Sequence, residues 1–162
     1  EDQWPDWSPD GRIIYSEGWK GTGNWDILVM SGDGGGRSVW LGGPACDVQA
    51  TWSPDGKSIA FLRIDGDSNG NGQIDELDAG DVWVGRANGG GLRQLTSGVW
   101  ATTPAWSPDS RRNRFAQLRD SNGNGRSDIG DAADIRAVPF AGGPSVPLVE
   151  SPHRDGDPSW TE

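Results

Sequence analysis

Residues 52–61 read WSPDGKSIAF, and most of the architecture can be argued outward from them. Pro54 presets its own φ for the second place of a type I β-turn, Ser53 suits the first place and Gly56 the last. The run "QATW" leads into the turn and "SIAFLRI" leaves it, so the segment predicts two strands joined by a tight reversal. The signature recurs. "WSPDG" also stands at 7–11, "WSPDS" at 106–110, and the chain ends in "PSWTE". The anchoring residues Trp7, Trp52, Trp106 and Trp160 are 45, 54 and 54 residues apart. Self-similarity at such a period is the mark of a repeat architecture. Ser110 replaces the turn glycine in the third copy, which predicts a looser turn there.

Each unit repeats the same internal order. A segment ending in the tryptophan ("WPDW", "QATW", "TPAW", "DPSW") is followed by the turn and a second strand ("RIIYS", "SIAFLRI", "NRFAQL"). A third strand opens on aspartate ("DILVM", "DVWVG", "DIRAV"), a glycine-rich turn follows, and "SVWL", "RQLT" or "VPLV" closes the unit. Four short strands per unit is the content of one propeller blade. The expected fold is all-β: a single domain over 1–162, with four-stranded blades at about 1–45, 46–99 and 100–153 and residues 154–162 starting a fourth. The "WSPDGKSIAF…GGGLRQLT" pattern resembles the TolB-type β-propeller repeat over essentially the whole chain. The resemblance implies the tryptophan segment innermost and the "RQLT" segment outermost. It implies no single activity, because one fold hosts many functions.

The second and third spacings exceed the first by nine residues, and the excess lies between the second and third strands of a unit. There the chain reads "DSNGNGQIDELD" (67–78) and "DSNGNGRSDIGD" (120–131). Hard cations need oxygen ligands at fixed intervals. EF-type loops supply them at positions 1, 3, 5, 7 (a backbone carbonyl), 9 and 12, with glycine at 6 for the sharp turn. The first insert offers Asp67, Asn69, Asn71, the Gln73 carbonyl, Asp75 and Asp78 around Gly72. The second offers Asp120, Asn122, Asn124, the Arg126 carbonyl, Asp128 and Asp131 around Gly125. The loops resemble those of dockerins, and integrin-like propellers carry such loops in hairpins. Two Ca²⁺ sites are therefore expected, on hairpin inserts and with no flanking helices. Position 12 is the shorter Asp, and position 8 of the second loop is Ser127 where the first has Ile74. Magnesium prefers fewer protein ligands and retained waters. Three carboxylates per loop suit an affinity of about 10⁻⁴–10⁻³ M, a concentration found outside cells. Asp26, Asp81 and Asp134 open the third strands. They either add a ligand or cap the hairpin, and Asp26 has no insert beside it, which favours capping.

Bulk properties narrow the function. A net charge of −10 leaves no basic patch for nucleic acid. No apolar run is long enough to span a bilayer. One Cys (Cys46) and one His (His153) rule out an internal disulfide and a typical zinc site. No nucleophile elbow is present, so no catalytic residue is assigned and no enzyme is expected. "GDGGGR" at 32–37 reads as a blade turn rather than a phosphate cradle. Trp7, Trp52, Trp106 and Trp160 recur as packing between blades, as do Trp25 and Trp83. Trp4, Trp19, Trp40 and Trp100 follow no repeat and either fill gaps or form a sugar-stacking face. Three blades leave open faces. They are covered either by the remainder of a longer protein from which this piece is excised, or by self-assembly. The expected role is a calcium-binding scaffold or recognition module with a protein partner, extracellular, cell-surface or periplasmic. A glycan-binding or glycan-processing propeller and a structural subunit of a surface assembly are the alternatives.

Overall fold

The computed structural model describes residues 1–18, 23–75, 77–123, 127 and 131–150. These residues form three four-stranded antiparallel sheets. The first is β1 (Asp2–Trp7), β2 (Arg12–Gly18), β3 (Trp25–Ser31) and β4 (Ser38–Leu41). The second is β5 (Cys46–Trp52), β6 (Ser58–Ile64), β7 (Asp81–Arg86) and β8 (Arg93–Gln94). The third is β9 (Trp100–Trp106), β10 (Arg112–Leu118), β11 (Ala133–Pro139) and β12 (Val146–Val149). Each sheet is ordered as its strands run in sequence, the topology of a propeller blade. The tryptophan strands β1, β5 and β9 lie at one edge and the short fourth strands at the other, so the all-β reading holds. No described helix is long and apolar enough to cross a membrane.

The turns form as their chemistry dictates. The amide of Gly11 donates to the Ser8 carbonyl at 3.1 Å, that of Gly56 to Ser53 at 2.8 Å and that of Ser110 to Ser107 at 2.9 Å. The third turn is thus no looser than the others. Ser110 takes the left-handed backbone (φ 58°) that Gly11 (85°) and Gly56 (69°) adopt without a Cβ penalty. The first turn is a residue shorter. The Ser8 amide reaches the Arg12 carbonyl, whereas Ser53 reaches Ser58 and Ser107 reaches Arg112. Ile13, Ile59 and Asn113 therefore hold the same place, each opposite its unit's tryptophan.

The core lies between the sheets. Ile14 and Ile27 of the first sheet pack against Trp52, Ile59 and Phe61 of the second. Ala60, Leu62 and Ile64 of the second pack with Trp106 and Phe115 of the third. Each such large side chain is worth about 1.5–3 kcal/mol of burial. Cys46 is fully buried in the second of these clusters, as a small hydrophobe. Trp52 and Trp106 are 4% and 6% exposed, but Trp7 is 61% exposed. The expectation that Trp7 packs between blades is not met, because among the described residues no sheet lies against the front of the first one. Trp4, Trp40 and Trp100 fill gaps. Trp4 stacks on Trp25 at 5.4 Å, Trp40 meets Phe61 edge-on at 5.7 Å, and Trp100 packs on Ala116 and Leu118. Trp19, Trp160 and His153 lie outside the described residues.

Candidate metal-binding inserts

The inserts sit where the spacing argument puts them, at the β6–β7 and β10–β11 connections. In the first, the chain winds around oxygens at alternate positions. The Asp67 carboxylate accepts the amides of Gly70 (2.6 Å), Asn71 (3.1 Å) and Gly72 (2.8 Å). The Asn69 side-chain oxygen accepts the Asn71 amide at 2.9 Å, and that of Asn71 accepts the Gln73 amide at 2.7 Å. Asp75 accepts the Leu77 amide at 2.9 Å. These are Asx turns in series, the local bonding that short polar side chains favour in turns. Gly70 (φ 78°) and Gly72 (φ 86°) supply the left-handed bends.

Asp78 closes the loop. One of its oxygens accepts the Ser68 amide (2.8 Å), the Ser68 hydroxyl (3.0 Å) and the Asn69 amide (2.9 Å); the other accepts the Asp75 amide at 3.0 Å. The residue is 1% exposed. Burial pushes its carboxyl upward, but the donors from Asp75, Asn69 and Ser68 outweigh burial and hold it below the usual carboxylate range. The Ser68 hydroxyl also accepts the Ala79 amide at 2.7 Å, stitching the two ends of the insert together. Ile74 anchors the loop against the second–third sheet core. Its carbonyl approaches Gly23 so closely that a Cβ there would stand 1.9 Å away.

The second insert repeats the closure. The Asp131 carboxylate accepts the Ser121 amide (3.0 Å), the Ser121 hydroxyl (2.9 Å) and the Asn122 amide (3.3 Å). Asp120 accepts the Gly123 amide at 2.7 Å, and the Ser121 hydroxyl accepts the Ala132 amide at 2.8 Å. Asn124, Arg126 and Asp128 lie outside the described residues, as does the turn residue Gly125. Ser68 and Ser121 were not singled out in the sequence, although the shared Asp-Ser pairs at 67–68 and 120–121 carried the signal.

The donor set suits a hard cation, since every side-chain donor in the first insert is oxygen. Among the described residues no three His, Cys, Asp or Glu side chains converge as a ready-made cluster. Asp78 instead serves four donors of the loop itself. A cation in this insert would draw chiefly on Asp67, Asn69, Asn71, the Gln73 carbonyl and Asp75. Three of the four donors to Asp78 share one of its oxygens, and the other oxygen accepts only the Asp75 amide, so that oxygen keeps a lone pair for a cation without giving up the closure. Asp81 caps the turn after β8, accepting from the Thr96 hydroxyl (2.9 Å) and the amides of Gly98 (3.0 Å) and Val99 (3.3 Å). Asp26 accepts the Gly43 amide at 3.2 Å in the same manner. Asp134 instead pairs with Arg119 at 3.3 Å.

A second candidate region emerges only in three dimensions. Trp4 (φ 51°), Gln49 (55°) and Thr103 (50°) each stand three residues before their unit's tryptophan in a left-handed backbone. At each, the pairing of the edge strand with its neighbour slips at a bulge. They border a hollow of about 370 Å³ together with Asp6, Thr51 and Pro104. Asp6 accepts the Thr51 hydroxyl (2.9 Å) and the Trp52 amide (2.7 Å), and Gln49 accepts the Thr103 amide at 2.7 Å. Trp4 thus occupies a repeat position after all. Trp, Gln and Thr share no chemistry that would mark it in sequence.

No protein-family model matches the chain. It is 30% identical over 111 residues to an uncharacterized peptidase of Bacillus subtilis (strain 168), YuxL, an alignment spanning 65% of this chain and 15% of that protein. A TolB-type structure from Agrobacterium tumefaciens superposes with a TM-score of 0.67 at 22% identity, covering 91% of this chain and 49% of that one. TolB from Acinetobacter baumannii gives 0.62 at 16% identity, covering 90% and 32% respectively. The chain therefore spans about half or less of the solved propellers and a far smaller part of the peptidase. At these identities the solved structures speak to architecture alone, and in architecture the chain is a partial β-propeller similar to TolB.

Proposed function

We propose that this chain is a non-catalytic propeller scaffold that meets protein partners outside the cytosol, with Ca²⁺ held in its two hairpin inserts. The observation that carries the reading is the recurrence of one closure. Asp78 with Ser68 and Asp131 with Ser121 make the same hydrogen bonds in successive sheets. An arbitrary polar loop has no reason to repeat its internal bonding. A bound Ca²⁺ would supply positive charge that offsets the repulsion among the loop carboxylates. The protein's own part is to hold Asp67, Asn69 and Asn71 with their oxygens turned inward by amide contacts. The scaffold reading draws support from Asp6, the acid on the hollow between the edge strands, whose carboxylate is committed to Thr51 and Trp52.

Calorimetric titration with Ca²⁺ tests the proposal. Two sites with dissociation constants of about 10⁻⁴–10⁻³ M are expected. Asp67→Ala should remove one and Asp120→Ala the other. The absence of binding heat through the millimolar range would overturn the calcium assignment.

A further inference from the structure

In the first insert Asp67, Asn71 and Gln73 are exposed, and the chain turns inward at the half-buried Ile74. Ile74 is position 8 of the loop, between two expected ligands, the Gln73 carbonyl and the Asp75 carboxylate. Its side chain packs against the cluster that holds Trp25 of the first sheet with Cys46 and Ile64 of the second. Its backbone faces Gly23, in the connection between β2 and β3. The Ile74 carbonyl oxygen occupies the place that a Cβ on Gly23 would take, and the Ile74 carbonyl carbon and amide nitrogen lie 3.0 and 3.5 Å from that place. Gly23 is buried in a left-handed backbone, φ 66°. Only glycine meets both demands.

The first sheet fixes where Gly23 sits. Trp25, two residues on, opens β3 and is 3% exposed. Its ring lies on Gly18, its register partner in β2, where a Cβ would fall on the indole. Trp4 of β1 leans against the same ring at 5.4 Å. Three strands thus hold the start of β3, and through it Gly23. This support belongs to the first sheet, because Gly80 and Ala133 stand before Asp81 and Asp134 where Trp25 stands before Asp26. The second insert also has Ser127 at position 8, a residue without the apolar side chain that seats Ile74. We propose that Gly23 is a positioning residue for the cation of the first insert. Through the Ile74 peptide, the first sheet holds the Gln73 carbonyl and Asp75 where they serve as ligands. Cation affinity at this insert is therefore coupled to the packing of the first sheet on the second, and such coupling is reciprocal. The second insert lacks the apolar anchor and stands outside the coupling. The inference rests on the calcium reading of the inserts and says what regulates one of them.

Calorimetric titration of the full chain with Ca²⁺ tests it, with Asp120→Ala leaving only the first site and Asp67→Ala only the second. Gly23→Ala should weaken the first site about tenfold or more and leave the second unchanged. Ile74→Ser, which gives the loop the residue of the second insert, should weaken the first site about fivefold. It decides the matter if Gly23→Ala does not fold, because it leaves Gly23 in place. Asn24→Ala, at the exposed neighbour, should alter neither site. A general loosening of the fold would weaken both sites together, so equal weakening of the two would overturn the proposal. A first site indifferent to both substitutions would overturn it as well, and would leave the calcium assignment standing. Absence of binding heat from the unsubstituted chain would instead overturn the calcium assignment and this inference with it.

Discussion

Asn113 is the residue that sits least comfortably in this fold. It occupies the register place of Ile13 and Ile59, is 0% exposed, and neither its amide oxygen nor its nitrogen has a hydrogen-bond partner. A buried polar group left without a partner costs about 1–3 kcal/mol. Asn113→Ile, restoring the residue of the other two units, should therefore stabilise the chain by about 1–3 kcal/mol. In urea unfolding the midpoint should rise while the slope stays constant. A lowered midpoint would mean that the amide serves an internal water or other group. At this scale the sequence was legible where a residue's conformation is set locally. Gly56 and Pro54 announce their turn, and Ser110 is forced into the glycine conformation by the same turn. It was illegible where a neighbouring sheet decides. Trp7 and Trp52 are identical in local sequence, and only the presence of a sheet in front of one buries it. The register place of Asn113 was hidden too, because the first turn is one residue short.

The inserts show the same division between local and distant causes. Their location followed from the nine-residue excess in spacing, and their Asx turns from the alternation of Asp, Asn and Gly. The serine closure and the seating of Ile74 beside Gly23 depend on contacts that no spacing rule encodes. Asp78 gives the closure a pH signature. Burial raises its carboxyl and hydrogen bonds lower it further, so its folded pKa lies below the ordinary 3.8. A group depressed in this way contributes stability above its unfolded pKa and loses it as pH falls through the folded value. The first insert should thus loosen in acid, below about pH 3.8. Hydrogen-exchange protection at the Ser68 and Asn69 amides should fall there, while that of the Leu95 amide, which donates to the Val82 carbonyl at 2.8 Å, holds. Equal protection of Ser68 and Asn69 at about pH 6 and pH 3 would contradict the closure.

For the whole molecule, the fold was legible because the repeat states it three times and each statement is corrected by the others. A degraded strand such as "NRFAQL" is read correctly only beside "SIAFLRI". What the repeat could not supply is the environment of its ends, where identical units meet different neighbours. The central claim is that the two inserts are cation clamps built into the blades, so that ion binding and folding are coupled. Thermal unfolding in millimolar Ca²⁺ and in excess chelator tests this directly. At a tenfold excess over the dissociation constant each site should add about 1.4 kcal/mol. Together they should raise the midpoint by about 6–11 °C for a chain of this size. Coincident melting curves in the two solutions would contradict the account.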